Sequence, residues 1–240
     1  MPPAHIPLNR QKIRAISLDL DDTLWPIVPV MLRAEQALSD CLRSAAPLTA
    51  ALLQDVPRRL ALRQQIQIEQ AQIGHNLGAL RLELIRQALQ HNAENTALAQ
   101  AAYEVFIVER MKVTMYDDAI PALDWLAQRF VLVAVSNGNA DVQQVGLGSY
   151  FKAALSAQDF GIGKPDVRIF HAAAQAVGVA PDEVLHVGDD AEMDVLGGLQ
   201  AGMQTVWLNR AGRDWAHAAQ PHAMVHDLAQ LCTLLASPQT

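Results

Sequence analysis

The chain has 240 residues, 51% of them hydrophobic and 18% charged, with a formal net charge of −7. That length can bury a substantial core, as one large domain or two smaller ones, and the acidic balance argues against a general binder of nucleic acid or anionic membrane. Cys41 and Cys232 are the only cysteines, which excludes a disulfide framework and makes a reducing cytoplasm the expected location. No run of 18 apolar residues occurs, so neither a membrane-spanning helix nor a signal peptide is expected.

In chain order, MPPAHIPLNRQK (1–12) reads as a disordered lead-in. IRAISLDL (13–20) reads as an apolar, β-branched strand that ends on Asp19. A long helical interval follows. Val30, Ala34, Leu38 and Leu42 recur at helical spacing, as do Leu77, Leu80, Leu84 and Ala88, and a third stripe runs through Leu98, Ala101, Ala102, Val105 and Val108. An ordinary crossover between parallel strands needs only about a dozen residues, so residues 26–115 are expected to be a separate helical domain. It would be inserted into a core made from 1–25 and 116–240. In that core, helices are expected near 119–129, 166–177 and 192–201, and strands at VLVAVS (131–136), VLHVG (184–188) and QTVWLN (204–209). Short strands alternating with helices predict an α/β fold, a doubly wound parallel sheet with a second, smaller, all-helical domain.

Ligands of an open parallel sheet bind at the carboxyl ends of its strands, and the unusual residues sit at those ends. Asp19, Asp21 and Thr23 follow the first strand, Ser136, Asn137 and Gly138 the second, and Asp189, Asp190 and Asp194 the third. Lys164 comes from GIGKPD, ahead of a helix. Taken singly, the aspartates could cap a turn, SNGN could be a turn alone, and Lys164 could be a solvated lysine. Together they read as phosphoryl transfer. Unpaired like charges this close are untenable, and a hard cation such as Mg²⁺ takes carboxylate oxygens, so Asp19 and Asp189 are the expected ligands. Asp19 would attack phosphorus, Asp21 would act as acid and then base, and Lys164 and Ser136 would hold the phosphoryl oxygens. His186, inside an apolar strand, reads as a core residue.

The order DLDDT, VSNGN, GKPD and GDDAEMD resembles the haloacid dehalogenase-like superfamily, whose helical cap can follow the first strand. The resemblance implies Asp19 as nucleophile, Asp21 as acid/base and Thr23 as support at the phosphate. It implies Ser136, with Asn137 and Gly138 of its loop, and Lys164 as phosphate-binding residues. Mg²⁺ would take the Asp19 carboxylate, the Asp21 main-chain carbonyl and Asp189. Asp194 would orient Lys164 or a metal-bound water, and Asp190 has no assigned role. VSNGNADVQQVGLGSYF and EVLHVGDDAEMDVLGGLQAGMQTVWLN resemble bacterial phosphatases of FMN and of 5-amino-6-(5-phosphoribitylamino)uracil. In the cap, GHNLGALR (74–81) offers His75, Asn76 and Arg81 as substrate-selecting groups, with a plain helix–helix connection as the alternative.

The leading expectation is therefore a Mg²⁺-dependent phosphatase of a small phosphorylated metabolite, with no nucleic-acid or membrane partner. A phosphomutase shares all four motifs and differs in what the cap admits. The dehalogenase branch attacks carbon and lacks an aspartate two residues after the nucleophile, so Asp21 argues against it. A non-catalytic binding protein on the same fold would have lost Asp19, Asp21 or Lys164.

Overall fold

The computed structural model describes residues 7–236. Positions 1–6 of the expected disordered lead-in lie outside the described residues, whereas Arg10–Lys12 form a 3₁₀ turn. Disorder is not what residues 9–12 show: Asn9 N donates to Gln204 Oε1 at 2.6 Å and Gln204 Nε2 donates back to Asn9 O at 3.0 Å. One glutamine thus meets both backbone groups of Asn9.

The first strand, β1 (Ala15–Leu18), is wholly buried, as its continuous apolar run requires of a strand covered on both faces. Six α-helices precede the next strand, the first five being α1 (Ile27–Leu42), α2 (Pro47–Gln54), α3 (Val56–Glu69), α4 (Leu77–His91) and α5 (Leu98–Arg110). Then come α6 (Ala119–Ala127), β2 (Val131–Ser136), β3 (Ala153–Ser156), α7 (Ala157–Phe160), α8 (Val167–Val177) and β4 (Val184–Gly188). A π-helical turn, Ala191–Leu196, runs into α9 (Gly197–Gln200), and β5 (Gln204–Leu208), β6 (Ala223–Val225) and α10 (Leu228–Ala236) complete the chain.

The six strands are all parallel, in the order β3-β2-β1-β4-β5-β6. This is a doubly wound sheet in which β1 lies between β2 and β4, at the point where the winding reverses. Ala15, Val133, Val135 and Val184 of the sheet pack with Ile169, Phe170, Ala173 and Ala174 of α8. The edge strands β3 and β6 are only four and three residues long, and each has partly exposed residues, which is why pattern alone does not announce them.

The chain forms two compact units. Among the described residues, one contains those up to Pro26, together with Thr114–Gly138 and those from Val142 to Ala236; the other contains Ile27–Val113 with Asn139–Asp141. The second unit is helical, with a core of Leu38, Leu42, Leu53, Ile66, Leu84 and Phe106 among others. In α5 the buried face is Ala99, Ala102, Phe106 and Arg110, not the stripe through Val105 and Val108. Burying Phe106 removes more apolar area than burying a valine, and it sets the helix rotation. Among the described residues no helix is long and apolar enough to cross a membrane.

Candidate active site

Asp19 sits one residue past β1, and its backbone N–H donates to Val187 O at 3.0 Å. The pairing with β4 thus carries on just far enough to fix the aspartate at the carboxyl edge of the sheet. Its side chain is nearly enclosed. Lys164 arrives from the loop between α7 and α8, with Nζ 2.5 Å from Asp19 Oδ1 and 2.6 Å from Asp194 Oδ1. One buried ammonium therefore bridges two carboxylates through charge-assisted hydrogen bonds.

Two further contacts fix that lysine. Asn137 Oδ1 accepts from Lys164 N at 2.7 Å while Asn137 Nδ2 donates to Lys164 O at 2.8 Å. The loop after β2 thus clamps the lysine's backbone. A Cβ on Gly163 would overlap the Asn137 amide oxygen, so the glycine is what admits this approach. Asn137 acts here as a clamp on the lysine loop. Ser136 Oγ accepts from Gly138 N at 2.9 Å, closing the same loop on itself.

Behind the lysine lies a buried chain that the sequence does not announce. Asp194 Oδ1 also accepts from His186 Nε2 at 3.0 Å, and Asp194 Oδ2 accepts from Asp190 N at 3.0 Å. His186 Nδ1 lies 2.9 Å from Ser17 Oγ, and Ser17 and His186 are register partners across β1 and β4. An ionised Asp194 can only accept, so Nε2 carries the proton. Burial pushes the His186 pKa down, which leaves Nδ1 bare to accept from the serine hydroxyl. Two polar residues at facing positions of otherwise apolar strands are the signal that could have found it. Gly188 is required here too, since a Cβ would overlap the Asp194 carboxylate.

Asp190 differs from its neighbours. Its Oδ1 accepts from Glu192 N and Met193 N, both at 2.8 Å, so it caps the turn that carries Asp194. Asp21 Oδ1 accepts from Trp25 Nε1 at 2.8 Å, and buried Trp25 thereby fixes the loop beyond the nucleophile position. Thr23 is fully enclosed, and its hydroxyl has no hydrogen-bond partner among the described residues.

The cap residues separate into different roles. GHNLGALR is not one loop, because α4 begins at Leu77 and takes in Gly78 and Arg81. Asn76 Oδ1 accepts from Ala79 N at 2.8 Å and caps that helix. Arg81 lies with Nη1 2.7 Å from Glu35 Oε1 and its guanidinium 4.3 Å above the Phe106 ring. His75 is exposed. All three belong to the helical unit.

The core site is short of positive charge. Carboxylate oxygens of Asp19, Asp189 and Asp194 lie within 4.8 Å of one another, against the single ammonium of Lys164. Burial raises the Asp19 pKa well above the usual range despite Lys164, and the Asp194 and Asp189 charges add to the rise. Burial, then Asp194 and Asp22, push Asp189 up to about 7. Burial would do the same to Asp194, but Lys164 and His186 outweigh it and hold that carboxyl low. Lys164 itself would be lowered by burial, and its two carboxylates raise it instead. Both Asp194 oxygens are already committed to Lys164, His186 and Asp190. Asp19 and Asp189 keep the free lone pairs, and a hard divalent cation fits that all-oxygen, over-charged pair.

A family model for haloacid dehalogenase-like hydrolases matches residues 13–202. The chain is 33% identical to the 5-amino-6-(5-phospho-D-ribitylamino)uracil phosphatase YigB of Escherichia coli K12, over 95% of this chain and 98% of that one. It is 34% identical to a phosphoserine phosphatase of Thermus thermophilus, over 64% of each chain. Among solved structures, one described as a 2-haloacid dehalogenase from Pseudomonas syringae pv. Tomato DC3000 superposes with a TM-score of 0.87 at 37% identity, covering 93% of this chain and 98% of that one.

Proposed function

The chain belongs to the haloacid dehalogenase-like hydrolases, and from that premise we propose that it is a phosphatase of a small phosphorylated metabolite, working through an aspartyl-phosphate on Asp19. The observation that carries this reading is the carboxylate of Asp19 held 2.5 Å from a buried lysine that Asp194 holds in turn. Lys164 aims Asp19 and offsets part of the burial that disfavours its ionised form, and its charge faces the incoming phosphoryl oxygens. Asp19 attacks phosphorus, the bond from phosphorus to the ester oxygen breaks, and Asp21 gives that oxygen its proton. Asp21, now a carboxylate, takes a proton from water, whose oxygen attacks phosphorus and frees Asp19 and phosphate.

Asp19, Asp189 and the main-chain carbonyl of Asp21 would hold Mg²⁺. When bound, the cation supplies the positive charge that lets a phosphate dianion approach two carboxylates. Asp194 takes no part as a ligand, because its oxygens are engaged, and it serves instead to position Lys164.

For the substrate we favour a ribityl phosphate, either FMN or the phosphoribitylaminouracil. The full-length likeness to the E. coli enzyme supports that choice. The free thiols Cys41 and Cys232 are consistent with a cytoplasmic setting. A second reading rests on the neighbour described as a dehalogenase. Displacing halide from carbon would leave no ester oxygen to protonate, and Asp21 would have no task. The test is a panel of FMN, the aminouracil phosphate, O-phosphoserine, p-nitrophenyl phosphate and 2-chloropropionate, with wild type and Asp19→Asn. Phosphate release that falls by orders of magnitude in the variant supports the proposal. Chloride release without phosphate release, or near-wild-type phosphate release by a folded Asp19→Asn, sinks it.

A further inference from the structure

Within the helical unit, α1, α3 and α4 border a half-open pocket of about 170 Å³, lined by Met31, Leu32 and Glu35 of α1, Arg59, Leu60 and Arg63 of α3, and Arg81 and Leu84 of α4. That is space for roughly five or six waters, or one small oxyanion with part of its carrier. Three guanidiniums face one carboxylate. Glu35 Oε1 lies 2.7 Å from Arg81 Nη1, and Glu35 Oε2 lies 3.6 Å from Arg59 Nη1. Arg59 Nη1 also donates to Leu53 O at 2.6 Å.

Arg63 makes no hydrogen bond or ion pair with any described residue. Its charge, with that of Arg59, opposes the charge of Arg81. Arg59 and Arg63 stand one helical turn apart, where like charges destabilise a helix. Arg81 Nη1 and Glu35 Oε2 are buried in ion pairs that lack well-directed hydrogen bonds, so a better-placed acceptor would satisfy them more fully. With the Arg81 face over Phe106, its edge donors remain for a planar acceptor. A solvated arginine face would show neither the pocket nor three guanidiniums around one carboxylate.

We propose that this pocket is a binding site for an oxyanion, a carboxylate or phosphate group of a small molecule, recognised by Arg59, Arg63 and Arg81, with Glu35 as the internal anion that competes for them. The fork of donors on each guanidinium matches carboxylate and phosphate oxygens, and the apolar lining of Met31, Leu32, Leu60 and Leu84 would accept the carrier. The site stands whichever phosphoester the core domain hydrolyses.

The test uses the ¹⁵N-labelled full chain titrated with inorganic phosphate, read at the Nε–Hε resonances of Arg59, Arg63 and Arg81. These report the pocket separately from the core site. Saturable shifts are expected, with affinity at least tenfold weaker in Arg63→Gln and severalfold tighter in Glu35→Gln, which frees Arg81. The opposite signs cannot come from general unfolding. Absence of saturable shifts, or affinity unchanged in both variants, overturns the site. Steady-state kinetics on Arg63→Gln then identify the source of the anion. A KM for O-phosphoserine raised tenfold or more, with p-nitrophenyl phosphate unaffected, assigns the group to the substrate. Unchanged kinetics on both, with the phosphate shifts present in wild type, assign it to a free anion.

Discussion

Replacing Asp189 by asparagine should stabilise the metal-free protein while abolishing phosphatase turnover. Burial, with the charges of Asp194 and Asp22, pushes the Asp189 pKa up to about 7 in the folded state, against an ordinary value near 3.9. A raised carboxyl pKa means that the folded state prefers the neutral form. The resulting stability is fully present below about pH 4 and is lost as pH climbs to about 7. At 1.36 kcal/mol per pKa unit the loss is roughly 4 kcal/mol, and the part of the carboxylate open to water brings it to roughly 2–4 kcal/mol. Asparagine keeps the shape and never ionises. Urea denaturation of both proteins in EDTA should therefore show near-equal stability at pH 4.5 and a gain of several kcal/mol for Asp189→Asn at pH 8. Added Mg²⁺ should raise the wild type at pH 8 and leave the variant little changed. A gain that is independent of pH, or a variant less stable than wild type at pH 8, would refute the charge-crowding account of this site.

Activity on p-nitrophenyl phosphate should vanish with EDTA and return with Mg²⁺; full activity in chelator would remove the metal from the proposal. His186→Leu leaves Asp194 without one donor and Ser17 without its partner, at a cost of roughly 1–3 kcal/mol in urea denaturation. It should also lower kcat with little change in KM, whereas unchanged kcat would make the histidine purely structural. Gly163→Ala drives a methyl group into Asn137 and should loosen the lysine clamp, lowering kcat at least tenfold, while a fully active variant would show that the clamp is dispensable.

The sheet core is legible in the sequence because its strands are short apolar runs that end on chemistry. Asp19, Lys164 and Asp189 stand out as charges where burial is expected, and the structure gathers them with Asp194 at one edge. What stays hidden depends on partners far away in sequence. Ser17 and His186 look like isolated polar residues until β1 and β4 pair in register. Asn137 reads as a turn residue, and only the fold brings it to the backbone of Lys164. The edge strands lack a pattern of their own because only one neighbour and part of one face hold them. In the cap, Asn76 carries a helix-capping signal that a search for substrate contacts passes over. The α5 stripe misleads because two apolar sets interleave there, and the larger side chain, Phe106, decides which one turns inward.

The covalent role of Asp19 is tested most directly by the stereochemistry at phosphorus. A phosphorothioate monoester made chiral with oxygen isotopes, hydrolysed by the wild-type enzyme in labelled water, reports the number of in-line displacements. Two displacements, first by Asp19 and then by water, give retention, which is the outcome required here. Inversion would mean that water attacks the substrate directly, and it would contradict the aspartyl-phosphate on which this mechanism rests.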